Sequence, residues 1–495
     1  MDSSIGRNVI NTSTSDTLSH VFGYVFWIVL ALFTDPTTIG GIGLILSFVT
    51  ILGIIIPLGL DLSMMKKVGQ SIGSRNISEA NAIVKSSITV VTFFVISSSI
   101  FIFIFISPLS VISGLSEIFL QYSIIIVISY ILQGMYRNAV IALQEKTVVL
   151  VYTEIISQII KFAVTFTLVF AGFGILAIVL GFFFHYLFKV ILLARFIFKN
   201  TGFPKLNDVF NKQISQSSLL KEGMLIWVPT LVSSFGNNLG VLFVNVGNNL
   251  GSVGVYFIAL MIYLILCKIP SQVQTALFPV FSGIEESINK LLEKSLVFSL
   301  VAIMPFTAMV MFYPEVFLKI FGNDFIIGSD IVFLLSTVVF IDTITTTIMM
   351  LQYSRGLFRN YALITIPFSS SKIVLYFILV PISGGLGAAQ SWVIGSIIGF
   401  VLSLIFVYKI GIVMNWYKLL PIAIIPVLLG AIFSILTLHF SFAFVLIFII
   451  SMLSYIKLKI LTRSDIEYIL KTLMPKEKSM GLIQKITKLL DKLRL

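Results

Sequence analysis

The sequence is short of charge. Of its 495 residues only 11% are Asp, Glu, Lys or Arg, 58% are hydrophobic, and mean hydropathy is +1.08. A soluble domain carries about 25% charged residues, so a surface facing water all round is excluded. Cysteine is nearly absent: Cys267 stands alone, and one thiol excludes an internal disulfide. The three histidines, His20, His185 and His439, are far apart and give no metal-ligand spacing. No metal and no cofactor is expected. No Gly-Lys-Ser/Thr phosphate loop occurs, which excludes an ATPase within the chain. Residues 1–17 are polar and lack the basic start of a cleavable signal. The outer loops offer only Asp35, Glu117, Glu315, Asp324 and Asp330, short and scattered, which argues against an integral membrane glycosyltransferase.

What the chain does have is apolar blocks of roughly 20 residues, the length that spans a ~30 Å hydrocarbon core. Fourteen spans are expected, near 18–34, 39–60, 86–107, 118–136, 149–170, 174–196, 224–246, 252–270, 296–313, 331–351, 362–381, 386–408, 419–437 and 439–457. The fold class is all-α and polytopic. With the N-terminus cytoplasmic, 29 of the 33 lysines and arginines fall on the inner side or at helix edges facing it. Only Lys319 lies outside, and Lys161, Lys189 and Lys372 fall within spans. This bias sets orientation: both termini are cytoplasmic, in the cell membrane. The net charge of +12 then reflects a basic inner face over anionic lipid and calls for no nucleic acid.

Matched motifs recur at offsets of 211 to 222. Ile39-Gly40-Gly41-Ile42-Gly43 pairs with Leu250-Gly251-Ser252-Val253-Gly254. Gly134-Met135-Tyr136-Arg137-Asn138 pairs with Gly356-Leu357-Phe358-Arg359-Asn360, and Gly172-Phe173-Gly174 with Gly385-Leu386-Gly387. Six spans per repeat predict two bundles related by a pseudo-two-fold along the membrane normal, enclosing a cavity and rocking to give alternating access. The expected division is an N-terminal six-helix lobe (1–211), a C-terminal six-helix lobe (212–416), two additional spans (417–460) and a cytoplasmic basic amphipathic tail (461–495). In the tail, Ser464 and Glu467 make a capping box, and apolar faces opposite lysines suit an anionic membrane surface or a partner protein.

A charge at mid-bilayer marks a functional site by default. Lys161 and Lys372 lie about halfway along the fifth and eleventh spans and differ by 211, one of the repeat offsets. Glu154, Gln158, Lys161 and Thr165 recur on one helical face, with Ser157 beside them. Thr365, Ser369, Lys372 and Tyr376 take the matching positions. Two such stripes are expected to face a wet interior, where two ammonium groups make an anion site; alternatively, Lys161 pairs with Glu154 as structural glue. Asp342, among threonines on the tenth span, either couples a proton or Na⁺ or pairs with Lys372. Lys189 is expected to snorkel to the inner headgroups. Arg137 and Arg359 sit at the inner mouth, either drawing in an anionic headgroup or following the positive-inside bias alone. The expected substrate-binding set is Lys161, Lys372, Glu154, Gln158, Ser369, Tyr376, Arg137 and Arg359.

The 6 + 6 + 2 arrangement, the run from Ile39 through Pro57-Leu58-Gly59-Leu60 and Lys66-Lys67 to Gly73-Ser74-Arg75-Asn76, and Gly385-Leu386-Gly387-Ala388-Ala389 resemble the polysaccharide-transporter branch of the superfamily that also holds the multidrug and toxic-compound extrusion exporters. The resemblance implies export of a lipid-linked oligosaccharide, its tail staying in the bilayer and its phosphate met by cationic residues. Lys161 and Lys372 fit that role. It implies membrane lipids as surroundings, saccharide-synthesis enzymes as partners, and a proton or Na⁺ as driving ion. The rival is a cation-coupled multidrug exporter, whose acids in the first or seventh span this sequence lacks.

Overall fold

The computed structural model describes residues 2–143, 147–203, 216–245, 249–282 and 288–461. The tail beyond 461, with Ser464 and Glu467, and also Lys146, Lys205, Lys212 and Asn248, lie outside the described residues. Among the described residues no strand occurs. The helices are α1 (Asp2–Phe33), α2 (Pro36–Ile55), α3 (Leu60–Gly73), α4 (Ile77–Ile104), α5 (Ile106–Ser113), α6 (Glu117–Leu143), α7 (Val148–Phe170), α8 (Ile175–Thr201) and α9 (Gln216–Val244). They continue with α10 (Leu250–Ser282), α11 (Ile288–Phe312), α12 (Pro314–Lys319), α13 (Ser329–Thr337), α14 (Val339–Ser354), α15 (Phe358–Lys409), α16 (Trp416–Ile435) and α17 (Phe440–Lys457).

Eleven described helices are long and apolar enough to cross a membrane, or twelve when the segments Asn323–Thr337 and Val339–Ser354, bent by 47°, count as one span. This confirms a polytopic all-α protein but not the number fourteen. Two places account for the gap. α15 runs for 52 residues, about 78 Å at 1.5 Å per residue, more than twice the hydrocarbon thickness. It is broken at Ser383 and Gly384, and Gly384 has a φ of +56°, open to a residue without Cβ. The expected spans 362–381 and 386–408 meet at that break. α9 carries the expected seventh span as far as Val244 and is not among the eleven.

Local chemistry sets the helix starts. Asp35 caps α2, accepting from the Thr38 N–H at 3.1 Å, and Pro36 follows at the first helical position. Burial pushes the Asp35 carboxyl up, but hydrogen bonds from Thr37 and Thr38 outweigh it and hold the group below its ordinary range. Asn76 caps α4 through the Glu79 N–H, and its amide donates back to the Glu79 carboxylate at 3.0 Å. The second span ends at Ile55, short of the expected residue 60, because Leu58 (φ +52°) and Gly59 (φ +75°) turn the backbone left-handed before α3.

Two compact units divide the chain. The first comprises Met1–Met261, Leu318–Ile331 and Gln352–Leu402; the second comprises Ile262–Phe317, Val332–Leu351 and the chain from Ser403. Within the first, α2 meets α10 at the paired glycine motifs. A Cβ on Gly40 would lie 2.0 Å from the Leu250 carbonyl oxygen, and one on Gly254 would lie 2.0 Å from that of Pro36. Each of these two glycines thus meets a carbonyl four residues before the other, so the contact is reciprocal between the two helices. Gly59 and Gly223 meet in the same way, backbone on backbone. In the second unit, Ala308 and Met309 of α11 pack with Ala443 and Ile447 of α17 under a rim of aromatic rings.

Candidate functional site

α7 is apolar on its outside and polar on its inside. Its buried residues are Leu150, Thr153, Glu154, Ser157, Gln158, Lys161 and Thr165, while Tyr152, Ile156 and Ile159 are exposed. Water would invert that order; lipid stabilises it, because apolar side chains are at home there and every polar group must find protein partners. The polar stripe read from the sequence is therefore the face that packs inward. Gly181 on α8 makes the approach close: a Cβ there would sit 1.9 Å from Thr165 Oγ1.

Along this face the charges sort themselves. Glu154 accepts from Lys189 Nζ at 2.6 Å and from Gln158 Nε2 at 2.8 Å. Lys189 is buried and engaged, so its expected snorkelling does not occur; a carboxylate on the neighbouring helix is a nearer counter-charge than the headgroups. Glu154 is thus taken by Lys189 rather than by Lys161. Lys161, only 3% exposed, holds its ammonium over the ring faces of Phe26 at 4.3 Å, Phe182 at 5.2 Å and Phe162 at 5.9 Å. It makes no ion pair among the described residues. Gln158 Oε1 and Thr165 Oγ1 have no hydrogen-bond partner there, nor has Nδ1 of the buried His185 on α8.

The first part of α15 repeats the pattern. Thr365, Ser369, Lys372 and Tyr376 are all fully buried. The Lys372 ammonium lies over Trp392 at 3.7 Å and Phe368 at 3.9 Å. Its stem occupies the space left by Gly395, where a Cβ would come within 2.4 Å of Lys372 Cγ. Ser369 packs on α9 at Gly236, and Tyr376 donates its hydroxyl to the Gly236 carbonyl at 2.9 Å. Tyr376 thereby ties α15 to α9.

The remaining expected residues are Arg137, Arg359 and Asp342. Arg137 on α6 pairs with Asp16 on α1 at 2.5 Å, half-exposed. Arg359 at the start of α15 is exposed. In the second unit the buried Asp342 on α14 accepts a hydrogen bond from the hydroxyl of Tyr263 on α10, and Thr346 bonds to its backbone carbonyl at 2.7 Å.

The aromatic partners are absent from the set expected from sequence. Phe368, four residues before Lys372, was within reach of helical periodicity. Phe26, Phe182 and Trp392 come from other helices or from beyond the break, and no spacing in the sequence announces them. Both stripes set a buried cation against ring faces. Beside it lie the hydroxyls of Thr165, Thr365 and Ser369 and, in the first stripe, the Gln158 amide oxygen, none with a hydrogen-bond partner among the described residues.

The profile of the family described as "Polysaccharide biosynthesis protein" matches residues 5–285. No curated protein matches the chain. Among solved structures, the Lipid II flippase MurJ in an inward closed conformation superposes with a TM-score of 0.70 at 17% identity, covering 89% of this chain and 99% of that one. The MATE multidrug transporter DinF-BH in complex with R6G gives 0.61 at 16% identity over 83% and 96%. A MOP superfamily transporter from Pyrococcus furiosus, described as having a binding pocket of reverse polarity that suggests a different function, gives 0.56 at 15% identity over 83% and 96%. At such identities the likeness is one of fold.

Proposed function

The chain belongs to the polysaccharide biosynthesis protein family, and from that premise we propose that it is a flippase. Its cargo is a lipid-linked oligosaccharide or polysaccharide repeat unit with an anionic phosphate headgroup. It moves that cargo from the cytoplasmic to the outer leaflet by alternating access between the lobes 1–211 and 212–416. The observation that carries the reading is Lys161: a buried ammonium whose nearest acid in sequence, Glu154, is already engaged by Lys189. A cation kept from its acid and cradled by rings is poised for a mobile anion. Lys372 supports it from the other repeat.

In this reading Lys161 and Lys372 meet the phosphate or pyrophosphate. Gln158 and Ser369 hydrogen-bond the sugar, and Glu154 and Tyr376 hold their helices in place. Arg137 and Arg359 gather the headgroup at the inner mouth. The orientation, with both termini cytoplasmic in the cell membrane, rests on the lysine and arginine distribution. The test is chemical identification of the glycolipid that accumulates on the cytoplasmic face when the protein is removed. Replacing both lysines by Ala should abolish outward movement of that lipid while the protein still inserts; full transport by the double variant refutes the proposal.

Asp342 favours a second reading, a cation-coupled exporter of the same superfamily. A buried carboxylate hydrogen-bonded by Tyr263 can exchange a proton or Na⁺ with a transport cycle. Resistance to cationic drugs that disappears in Asp342→Asn would support that reading over the first.

A further inference from the structure

A groove in the first unit takes no part in the site above. It has a volume of about 470 Å³ and lies among α2, α5, α9 and the first part of α15, within the ~300–1,000 Å³ range of small-molecule sites. Its walls are Phe48, Ile51, Phe235, Leu239, Phe243 and Phe377. Phe235 and Leu239 are one turn apart on α9 and line one side. Phe377 is 63% exposed, so in a bilayer the groove opens sideways to hydrocarbon. An empty apolar slot facing lipid forfeits the contacts its walls could make, and an alkyl chain restores them.

One end of the groove is polar. Gly114, in the left-handed turn that closes α5, presents its carbonyl to Asn245. Asn245 Nδ2 donates to it at 3.2 Å, which fixes the amide plane. Asn245 is 9% exposed, and its Oδ1 is buried with no donor among the described residues. A buried acceptor without a donor is rare in folded proteins, so this oxygen points to a ligand that supplies one. Among the described residues no lysine or arginine lines the groove, so these residues offer a phosphate no counter-charge.

We propose that this groove is a lipid site holding one acyl chain of a membrane phospholipid whose headgroup donates a hydrogen bond, from a glycerol hydroxyl, to Asn245 Oδ1. The phospholipid's own phosphate stays at the interface. A polyprenyl phosphate without its sugar suits the site poorly, because its headgroup brings acceptors to an acceptor. Neither Lys161 nor Lys372 lines the groove, so the proposal does not rest on the role assigned to them.

The test uses the full chain in phosphatidylcholine vesicles doped with a phosphatidylglycerol bearing a diazirine at its chain end. Cross-links are mapped by mass spectrometry. The groove residues Leu239 and Phe243 should label at least fivefold more than Phe101 and Phe103, which are exposed on α4 and serve as bulk-lipid controls. The same diazirine chain on a phosphatidylcholine, whose headgroup has no donor, should label the groove several-fold less. Leu239→Trp, which fills the slot, should reduce groove labelling to the Phe101 level and leave Phe101 unchanged. If that variant does not fold, the comparison of the two headgroups on the unaltered chain decides alone. Groove labelling no greater than that of Phe101, equal labelling by both headgroups, or preferential labelling by a photoreactive polyprenyl phosphate overturns the proposal.

Discussion

A lysine at the centre of a membrane helix costs about 2.5–3.5 kcal/mol on insertion scales, and a desolvated cation over an aromatic face recovers about 2 kcal/mol. Lys161, set over three rings, is therefore tolerable but not stabilising. Replacing a buried charge by an apolar side chain of similar volume is often neutral or stabilising. Lys161→Met should keep or slightly raise the melting temperature of the purified protein while cutting headgroup transport at least tenfold; a variant that transports normally removes the lysine from the mechanism. Glu154 predicts the opposite balance. Glu154→Gln strands the Lys189 ammonium, a loss of ~3–5 kcal/mol for a broken buried pair, and Lys189→Met added to it should restore most of that stability. Equal stability of the single and double variants in denaturant titrations would contradict the pairing seen at 2.6 Å.

At the scale of helices, period and length carry different amounts of information. The polar stripe of α7 was legible because residues three and four apart share a face, and that face is the buried one. The expected fifth span, 149–170, matches Val148–Phe170, since both ends of its apolar run are abrupt. The fourth, expected at 118–136, extends to Leu143; hydropathy stops where the hydrocarbon does, while the hydrogen-bonded helix continues into the interface. The aromatic cradles were not legible, because Phe26 and Phe182 reach Lys161 from α1 and α8 and only packing brings them together. The glycine seam was visible as a repeated motif, but that the two copies touch each other was not. Gly254→Ala places a methyl group 2.0 Å from a carbonyl oxygen, and α10 must move away from α2. In a Cys267→Ser background, thiol labelling of Val253→Cys, at a position that is fully buried, should speed up several-fold in the alanine variant; an unchanged rate means the seam yields without opening.

For the whole molecule, the asymmetry of lysine and arginine is the strongest constraint. It predicts that Lys319→Cys reacts with an impermeant maleimide in intact cells, and that Lys66→Cys reacts only after permeabilisation. The reverse result turns the protein over and with it the direction of transport proposed above. Composition sufficed for the membrane and the all-helical class, because scarcity of charge leaves few alternatives. Where each span ends was less accessible. The expected boundary between 381 and 386 falls on the break at Ser383 and Gly384, but the second span was carried to 60 because its apolar run continues through the left-handed turn at Leu58 and Gly59.

The contact between Gly40 and Gly254 is made by backbone alone, and this limits how the protein can change over generations. Most packing surfaces can be adjusted by degrees, a valine for an isoleucine, with each step tested separately. Here the smallest alteration adds a whole carbon where there is no room for one. Mutation has no graded way to retune this junction, so adaptation to new cargo must be written in the neighbouring side chains while these two positions stand still.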